Sequence, residues 1–290
     1  MTNTFTIRIR KSPRFYAFLR EARRLLNDVK SLAAQGKAKK EYFRSIEAIK
    51  TKKEMVLELA YGGLGDALVF TSLPRLLKET YGISFYLSHR SLDVFRHHNI
   101  FQLCFEYNPY FCGIKNTEDT FRYNHFSSDL SISTLITGKG DLNVVERIER
   151  QFNVAGNGVP EIYYKPFIDP ALHDTVLVDR NWIYGKTHNL YYDEQLLERE
   201  IEKAKDPDRK VLYVEPGGQD LFRYTDMIAS SKHFIGLVSG GNVLAAALRK
   251  NATIIVPENQ DGGSLSNFLF PNAGIQYVRN KSLKQYMKTR

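Results

Sequence analysis

The sequence predicts an α/β protein made of two Rossmann-like domains that follow a basic helical extension. Three observations lead to this prediction: strand-like apolar runs alternate with helical segments, each half of the body has a glycine turn between a strand and a helix, and positive charge is concentrated near the N-terminus. Alternating strands and helices imply parallel sheets with right-handed crossovers. We therefore expect an extension over residues 1–53, a first domain over 54–165 and a second over 166–290.

The charge of the chain is divided unevenly. Residues 1–53 hold 15 of the 41 Lys and Arg residues but only 4 of the 32 Asp and Glu residues, so the remaining chain has 26 basic against 28 acidic residues. Apolar residues recur every three or four positions from Phe15 to Ala33, which predicts an amphipathic helix. Residues 8–53 are expected either to contact anionic lipid headgroups or to pack their apolar stripe on the body. The charge comes with no nucleic-acid recognition motif, so nucleic acid is not an expected partner.

The chain has 290 residues, of which 43% are hydrophobic and 25% are charged. This composition is typical of a globular protein with a sizeable core. It excludes disordered and fibrous proteins. The two cysteines are too few for a disulfide framework and have no zinc-ligand spacing, which favours a reducing compartment. No metal and no cofactor is predicted. The longest apolar run, Phe234 to Leu248, is too short to span a membrane, and no signal-peptide pattern follows the N-terminus. These patterns predict a cytoplasmic protein.

The first half of the body begins with a strand, a glycine turn and a helix. Met55–Ala60 reads as an apolar strand, the turn runs from Tyr61 to Asp66, and Ala67–Glu79 continues at helical period. Ile83–Ser88 reads as the next strand. The sequence from Phe101 to Gly140 has no strong periodicity and predicts no particular elements.

The second half repeats this alternation after a break near residues 156–170. Its predicted strands are Thr175–Asp179, Lys210–Val214, His233–Val238 and Ala252–Val256, and its predicted helices are Glu194–Ala204, Leu221–Ser231 and Asn242–Lys250. Ligands of open parallel sheets bind beyond the carboxyl ends of the strands. Both glycine turns lie at that end, so the two domains are expected to face each other across a cleft that carries the site.

The first glycine turn does not fit the common nucleotide motifs. Leu68 occupies the third glycine position of a dinucleotide fingerprint, and Arg90 stands near the end of the next strand where an acid would bind a ribose. NAD is therefore disfavoured. An NADP site on Arg90 is a weaker alternative, because Asp66 in the loop would repel a pyrophosphate. No Lys-Ser/Thr pair follows the glycines, which excludes a P-loop.

Asp66 is the most informative residue of this turn. A carboxylate at a helix N-terminus is stabilised by the helix dipole and by free amides, so one interpretation is a helix cap. The glycines around it leave no side chain to cover the carboxylate, so the other interpretation is a general base that a hydroxyl can approach. Both interpretations stay open at the level of sequence.

Two segments resemble one protein family. Gly62 to Pro74 (GGLGDALVFTSLP) closely resembles the N-terminal motif of glycosyltransferase family nine, the bacterial heptosyltransferase type. Phe234 to Leu248 (FIGLVSGGNVLAAAL) resembles that family's C-terminal strand, Ser/Thr-Gly loop and helix. The resemblance covers most of residues 55–260. It implies a GT-B fold, an acceptor site in the first domain, a nucleotide-sugar site in the second, and inverting transfer without a metal.

The resemblance also implies roles for individual residues. Asp66 would deprotonate the acceptor hydroxyl from a loop that contains Gly62, Gly63 and Gly65. The donor diphosphate would contact the segment Ser239, Gly240 and Gly241, a role that a helix N-terminus also favours on physical grounds. Lys186 stands where the family has a basic residue for the leaving phosphate, and Arg180 competes for that task. Glu215, which follows a predicted strand, is a candidate to accept hydrogen bonds from a ribose.

Two positions depart from the family pattern, because Val238 replaces an acid before the Ser/Thr-Gly pair and Val243 replaces a His after it. The prediction is an inverting, metal-independent glycosyltransferase that moves a sugar from a nucleotide-sugar to a glycan or glycolipid of the cell envelope. It would work in the cytoplasm, peripheral to the membrane. The departures leave a catalytically inactive nucleotide-sugar-binding scaffold as the alternative, followed by an NADP-dependent oxidoreductase.

Overall fold

The computed structural model describes residues 37, 40, 41, 43–123, 142–181, 192–205, 209–215, 220–257 and 268–279. The chain divides into two compact units, Met1–Glu47 and Ala48–Arg290. The amphipathic helix expected from Phe15 to Ala33 lies outside the described residues, and so does most of the predicted basic extension. Residues 43–52 are helical. The second unit is an α/β structure with two parallel sheets, which confirms the predicted fold class.

The first sheet contains four parallel strands in the order β3-β2-β1-β4. The strands are β1 (Glu54–Leu59), β2 (Ser84–Ser88), β3 (Phe111–Lys115) and β4 (Phe121–Tyr123). Four helices accompany them: α1 (Leu64–Leu68), α2 (Leu73–Tyr81), α3 (His98–Phe101) and α4 (Val144–Gln151). Consecutive residues of β1 from Met55 to Leu57 are buried, as expected for a parallel sheet that is covered on both faces.

The second sheet contains five parallel strands in the order β6-β5-β7-β8-β9. The strands are β5 (Thr175–Val178), β6 (Lys210–Tyr213), β7 (His233–Leu237), β8 (Ala252–Ile255) and β9 (Ile275–Val278). The helices are α5 (Glu194–Ala204), α6 (Leu221–Ser230) and α7 (Gly240–Ala247). All residues of β5 and β8 are buried. None of the helices in the described ranges is both long and apolar enough to span a bilayer.

The structure corrects one predicted helix. The segment Ala67–Glu79 forms two helices, α1 and α2, because residues 69–72 turn between them. The amides of Phe70 and Thr71 bond three residues back instead of four, and the Thr71 hydroxyl donates to the Leu68 carbonyl at 2.7 Å. α2 then starts at Leu73 with Pro74 in its first turn, where a backbone N–H would have no partner within the helix.

An irregular segment from Val159 to Asp169 joins the two sheets. On the first side, Glu161 forms a two-bond ion pair with Arg75 of α2, at 3.1 and 2.6 Å. On the second side, the Tyr164 hydroxyl donates to Asp226 of α6 at 3.0 Å. Hydrogen bonds therefore tie this connection to a helix on each side.

The strand orders identify where ligands are expected. In the first sheet the chain order reverses beside β1, which lies between β2 and β4, and in the second sheet it reverses between β5 and β7. Open parallel sheets bind ligands in the crevice beyond the carboxyl ends of the strands at such a switch point. The glycine turn after β1 and the glycine turn after β7 both begin there.

Candidate active site

The two glycine turns contact each other. A Cβ atom on Gly240 would lie 3.0 Å from the Leu64 Cβ and 3.2 Å from the Gly65 backbone nitrogen. A Cβ atom on Gly65 would lie 3.5 Å from the Gly240 Cα. The first turns of α1 and α7 therefore pack backbone against backbone, an approach that glycine permits because it has no side chain. This contact brings the switch points of the two sheets to one site.

A cavity of about 260 Å³ opens where the turns meet. Polar residues and glycines from both sides line this cavity. The first side contributes Gly63, Gly65, Asp66 and Arg96, and the second contributes Asp179, Asn181, Tyr224, Ser239, Gly240 and Gly241. A second cavity of about 500 Å³ shares Arg96, Asp179, Asn181 and Tyr224 with the first. It also reaches His97, His98, Glu215 and Asp220. The two cavities form one crevice between the sheets.

Asp66 lines the smaller cavity as the third residue of α1, with a half-buried side chain. The N-cap of this helix is Gly63, and the Gly63 amide donates to the Asp66 Oδ2 at 3.2 Å. A carboxylate in the first helical turn is stabilised by such a bond and by the helix dipole. Asp66 thus supports the helix start and faces the crevice at once, so both interpretations of this residue fit its position.

The turn after β7 is built around the N-terminus of α7. Ser239 is its N-cap, and its Oγ accepts a hydrogen bond from the Gly241 amide at 3.2 Å. The first turn of α7 contains no acidic residue. Buried Asn242 fixes the helix start, because it donates to the Phe268 carbonyl at 2.7 Å and accepts from the Tyr277 hydroxyl at 2.9 Å. The positive end of the α7 dipole is therefore directed at the crevice without a carboxylate from its own first turn.

Asp179 supplies a carboxyl group to this wall from the neighbouring strand. It follows β5 directly, is 7% exposed, and lines both cavities. The Tyr224 hydroxyl donates to its Oδ2 at 2.6 Å, and the Asn181 amide donates to its Oδ1 at 2.8 Å. Burial raises the pKa of Asp179 above its ordinary value, while the bonds from Tyr224 and Asn181 oppose that rise.

The predicted site residues divide into two groups. Asp66, Gly63, Gly65 and the segment 239–241 line the smaller cavity together. Gly62 does not line it: a Cβ there would lie 2.0 Å from the Val94 carbonyl oxygen, so this glycine serves packing.

Two further predicted residues in the described ranges, Arg180 and Glu215, do not line the smaller cavity. Arg180 pairs with Glu198, and its guanidinium lies 4.8 Å above the Tyr213 ring. Glu215 is exposed and lines the larger cavity only. Lys186 lies outside the described residues. The roles expected for these residues stay predictions.

Four polar residues line both cavities and were not predicted from sequence: Arg96, Asp179, Asn181 and Tyr224. Asp179 had one detectable signal, because it ends a predicted strand of a parallel sheet. Tyr224 lies within a helix and Arg96 within an irregular turn, and neither has a pattern that separates it from ordinary surface or core residues. Among the described residues, no group of three or more His, Cys, Asp or Glu side chains is placed to hold a metal ion.

Comparison with known proteins gives matches only at the level of structure. No protein-family model matches the sequence, and no curated protein matches it. The iron-containing dodecameric glycosyltransferase TibC from enterotoxigenic E. coli aligns over 69% of this chain at 12% identity, with a TM-score of 0.50. The heptosyltransferase TibC in complex with ADP-D-beta-D-heptose aligns over 79% at 13% identity, with a TM-score of 0.54.

The alignments cover 57% and 62% of the two TibC chains, so this chain spans less than two thirds of their length. At this level of identity the similarity shows a shared fold. The fold is that of these glycosyltransferases, which confirms the predicted fold class.

Proposed function

We propose that the protein is an inverting glycosyltransferase that moves a sugar from a nucleotide-sugar donor to a hydroxyl of a glycan or glycolipid acceptor, without a metal ion. The observation that carries this proposal is the contact between the two glycine turns, which places Asp66 and the N-terminus of α7 on the same cavity. A transferase needs a base for the acceptor and an anion site for the leaving group on opposite sides of one reacting carbon.

The donor side of the proposed reaction uses the N-terminus of α7. Backbone amides and the helix dipole favour a diphosphate there, and a glycine-rich start lets the phosphate approach the backbone. Ser239 adds a hydroxyl beside these amides. Arg96 is the cation that lines both cavities among the described residues, so we assign it to neutralise charge on the diphosphate as it departs. Arg180 and Lys186 stay candidates from the sequence.

The acceptor side uses Asp66. As the acceptor oxygen attacks the anomeric carbon, its proton passes to the Asp66 carboxylate. The bond between the anomeric carbon and the diphosphate oxygen breaks, and the diphosphate leaves with the electron pair. Attack from the face opposite the leaving group inverts the anomeric configuration. Asp66 and the first residues of α7 line the same cavity, which supports this in-line arrangement.

Replacing Asp66 by Asn tests the proposal. Asn keeps an oxygen that can accept the Gly63 amide bond but cannot take up the acceptor proton, so transfer is expected to fall about 100- to 10,000-fold with donor affinity nearly unchanged. Donor binding is measured by calorimetry with a panel of nucleotide-sugars, and transfer is measured as release of the nucleoside diphosphate. Equal loss of donor binding or of thermal stability in this variant would make Asp66 a structural cap only.

A binding scaffold without activity is the second candidate, and one observation favours it. Val243 takes the place of the family's His and packs against the other turn, with its Cγ2 3.3 Å from the position of a Cβ on Gly65. The same experiment separates the two candidates. Tight binding of one nucleotide-sugar with no turnover against any glycan acceptor, and no effect of Asp66→Asn, would favour the scaffold.

We further propose that the protein works at the inner face of the membrane, on an acceptor of the cell envelope. The basic character of residues 8–53 supports this part. Removal of residues 1–50 is expected to weaken binding to vesicles that contain anionic lipid and to leave transfer to a soluble acceptor unchanged. Co-sedimentation with anionic and with neutral vesicles measures the effect. A truncated protein that fails to fold would instead assign the apolar stripe to the core.

A further inference from the structure

Asp179 is a carboxyl group in an unusual place for a diphosphate site. Its Oδ2 lies 3.5 Å from the position of a Cβ on Gly241, and the Tyr224 hydroxyl that binds this oxygen lies 2.3 Å from the same position. The carboxyl group is therefore directly beside the first turn of α7. The proposed function puts the donor diphosphate at this helix end, so two acidic groups would meet there.

Contact between an ionised Asp179 carboxylate and the donor diphosphate would be unfavourable. Asp179 is buried, and water screens charges poorly in a buried crevice, so an ionised carboxylate and a diphosphate in contact would repel each other strongly. A neutral carboxyl group removes this repulsion and gains an O–H that can donate to a phosphate oxygen, while its other oxygen still accepts hydrogen bonds. Binding of the anion therefore favours the protonated acid.

We propose that Asp179 binds the donor diphosphate as the neutral acid, so that donor binding takes up a proton from solvent, and that Tyr224 holds the Asp179 carboxyl group in position. The inference rests on the proposed function. It adds to that function a binding residue directly after β5 and a dependence of donor affinity on pH.

The surroundings of Asp179 include groups that raise its pKa and groups that lower it. Burial raises its pKa, and the hydrogen bonds from Tyr224 and Asn181 lower it. Besides Asp179 and Tyr224, the charged and titratable residues that line one or both cavities are Asp66, Arg96, His97, His98, Glu215 and Asp220. Next along the chain, Arg180 is paired with Glu198. The diphosphate adds negative charge at the closest range, so the pKa of Asp179 is higher in the complex than in the free protein.

The direction of the pH dependence follows from this difference. Donor affinity is lowest above the pKa of Asp179 in the complex, rises as the pH falls through that pKa, and levels off below the pKa of the free protein. Burial holds the pKa of Tyr224 well above its ordinary value, so Tyr224 stays a hydrogen-bond donor throughout this range.

Calorimetry tests the proposal directly. A panel of ADP-, UDP- and GDP-sugars is titrated into the full chain in buffers of different ionisation enthalpy at the same pH, and the dependence of the heat on the buffer gives the proton uptake. The phosphates of these donors are diesters and do not titrate near neutrality, so any uptake belongs to the protein. We expect proton uptake in the wild type and none in Asp179→Asn. The donor affinity of Asp179→Asn at neutral pH should equal the affinity that the wild type reaches only at acidic pH.

Two matched controls separate Asp179 from other titrating groups. Asp174→Asn changes an exposed acid at the amino end of the same strand, about 16 Å away along β5, and should take up protons like the wild type. The double variant His97→Gln/His98→Gln tests the two histidines that line the larger cavity, and it should also take up protons like the wild type. Loss of the uptake in either control, or its persistence in Asp179→Asn, overturns the proposal.

Tyr224→Phe provides a second variant if Asp179→Asn does not fold. Loss of the phenol hydroxyl removes a bond that favours the ionised carboxylate, so proton uptake should move to higher pH. A structural role alone would change affinity without moving the pH range, and an unmoved range overturns the part assigned to Tyr224. Donor binding without proton uptake in the wild type overturns this inference only. Absence of binding by every member of the panel overturns the proposed function as well.

Discussion

The turn after β1 and the turn after β7 share a glycine-rich start and differ in charge. The first opens the short helix α1 and has Asp66 in its first turn, whereas the second opens the longer α7 with a Ser239 cap and no acid. Two glycine-rich helix starts therefore have opposite electrostatic roles. One helix start is neutralised by its own carboxylate, and the other leaves its positive end available to an anion.

The glycines of the two turns also have different tasks. Gly62 is buried beside the backbone of Val94 and Phe95, and it forms an isolated parallel bridge with Phe95. Gly240 and Gly65 instead allow the contact between the two turns. Substitutions at these glycines therefore separate support of the first domain from assembly of the crevice.

The largest effect is expected from Gly62→Ala. The added methyl group would lie 2.0 Å from the Val94 carbonyl oxygen and 2.5 Å from the Phe95 Cα, and both are backbone atoms that cannot rotate away. We expect a loss of about 3 kcal/mol of unfolding free energy, because overpacking forces the backbone to shift. Chemical denaturation of wild type and variant measures it. A change below about 1 kcal/mol would contradict the assigned packing role.

Much of the fold was accessible from the sequence. Apolar runs bounded by glycine and charged residues predicted six of the nine described strands within one residue at each end, and helix α5 at its observed bounds. These elements combine a strong period with clear caps, such as Asp193, whose side chain caps α5. Local chemistry determines such elements, so local patterns are sufficient to find them.

Other elements were missed because tertiary contacts determine them. The strands β3 and β4 lie in a stretch of aromatic residues where rings stack on one another, as Phe105 does on Phe85 and Phe101, and such packing leaves no period in the sequence. The break between α1 and α2 was missed because helical spacing continues across it. Pro74 was the available signal, since proline is common in a first turn.

The site was predictable in part for the same reason. Asp66 and the segment 239–241 belong to short motifs, so their neighbours in sequence are their neighbours in space. Asp179 and Tyr224 are 45 residues apart and meet only because β5 and α6 pack beside α7. Recognising that pair requires the strand order, which shows that β5 and β7 flank the switch point.

A smaller effect is expected from Gly240→Ala, which tests the contact between the turns. The added methyl group would lie 3.0 Å from the Leu64 Cβ and 3.2 Å from the Gly65 nitrogen, so α1 and α7 must separate by a few tenths of an ångström. We expect a loss of about 1 kcal/mol of stability, and about tenfold weaker donor binding, because the wall of α7 amides moves. Calorimetric titration with the nucleotide-sugar panel and thermal unfolding measure the two quantities.

Gly65→Ala is the matched control on the opposite turn, and it should have the smallest effect of the three. Its added methyl group would meet the Val243 Cγ2 at 3.3 Å, a side-chain atom that can move more easily than backbone, while the nearest backbone atom lies 3.5 Å away. Donor affinity should therefore stay closer to that of the wild type than in Gly240→Ala. If Gly65→Ala weakened donor binding more than Gly240→Ala does, the donor site would depend on the first turn more than on the α7 amides, and the assignment of opposite roles to the two turns would fail.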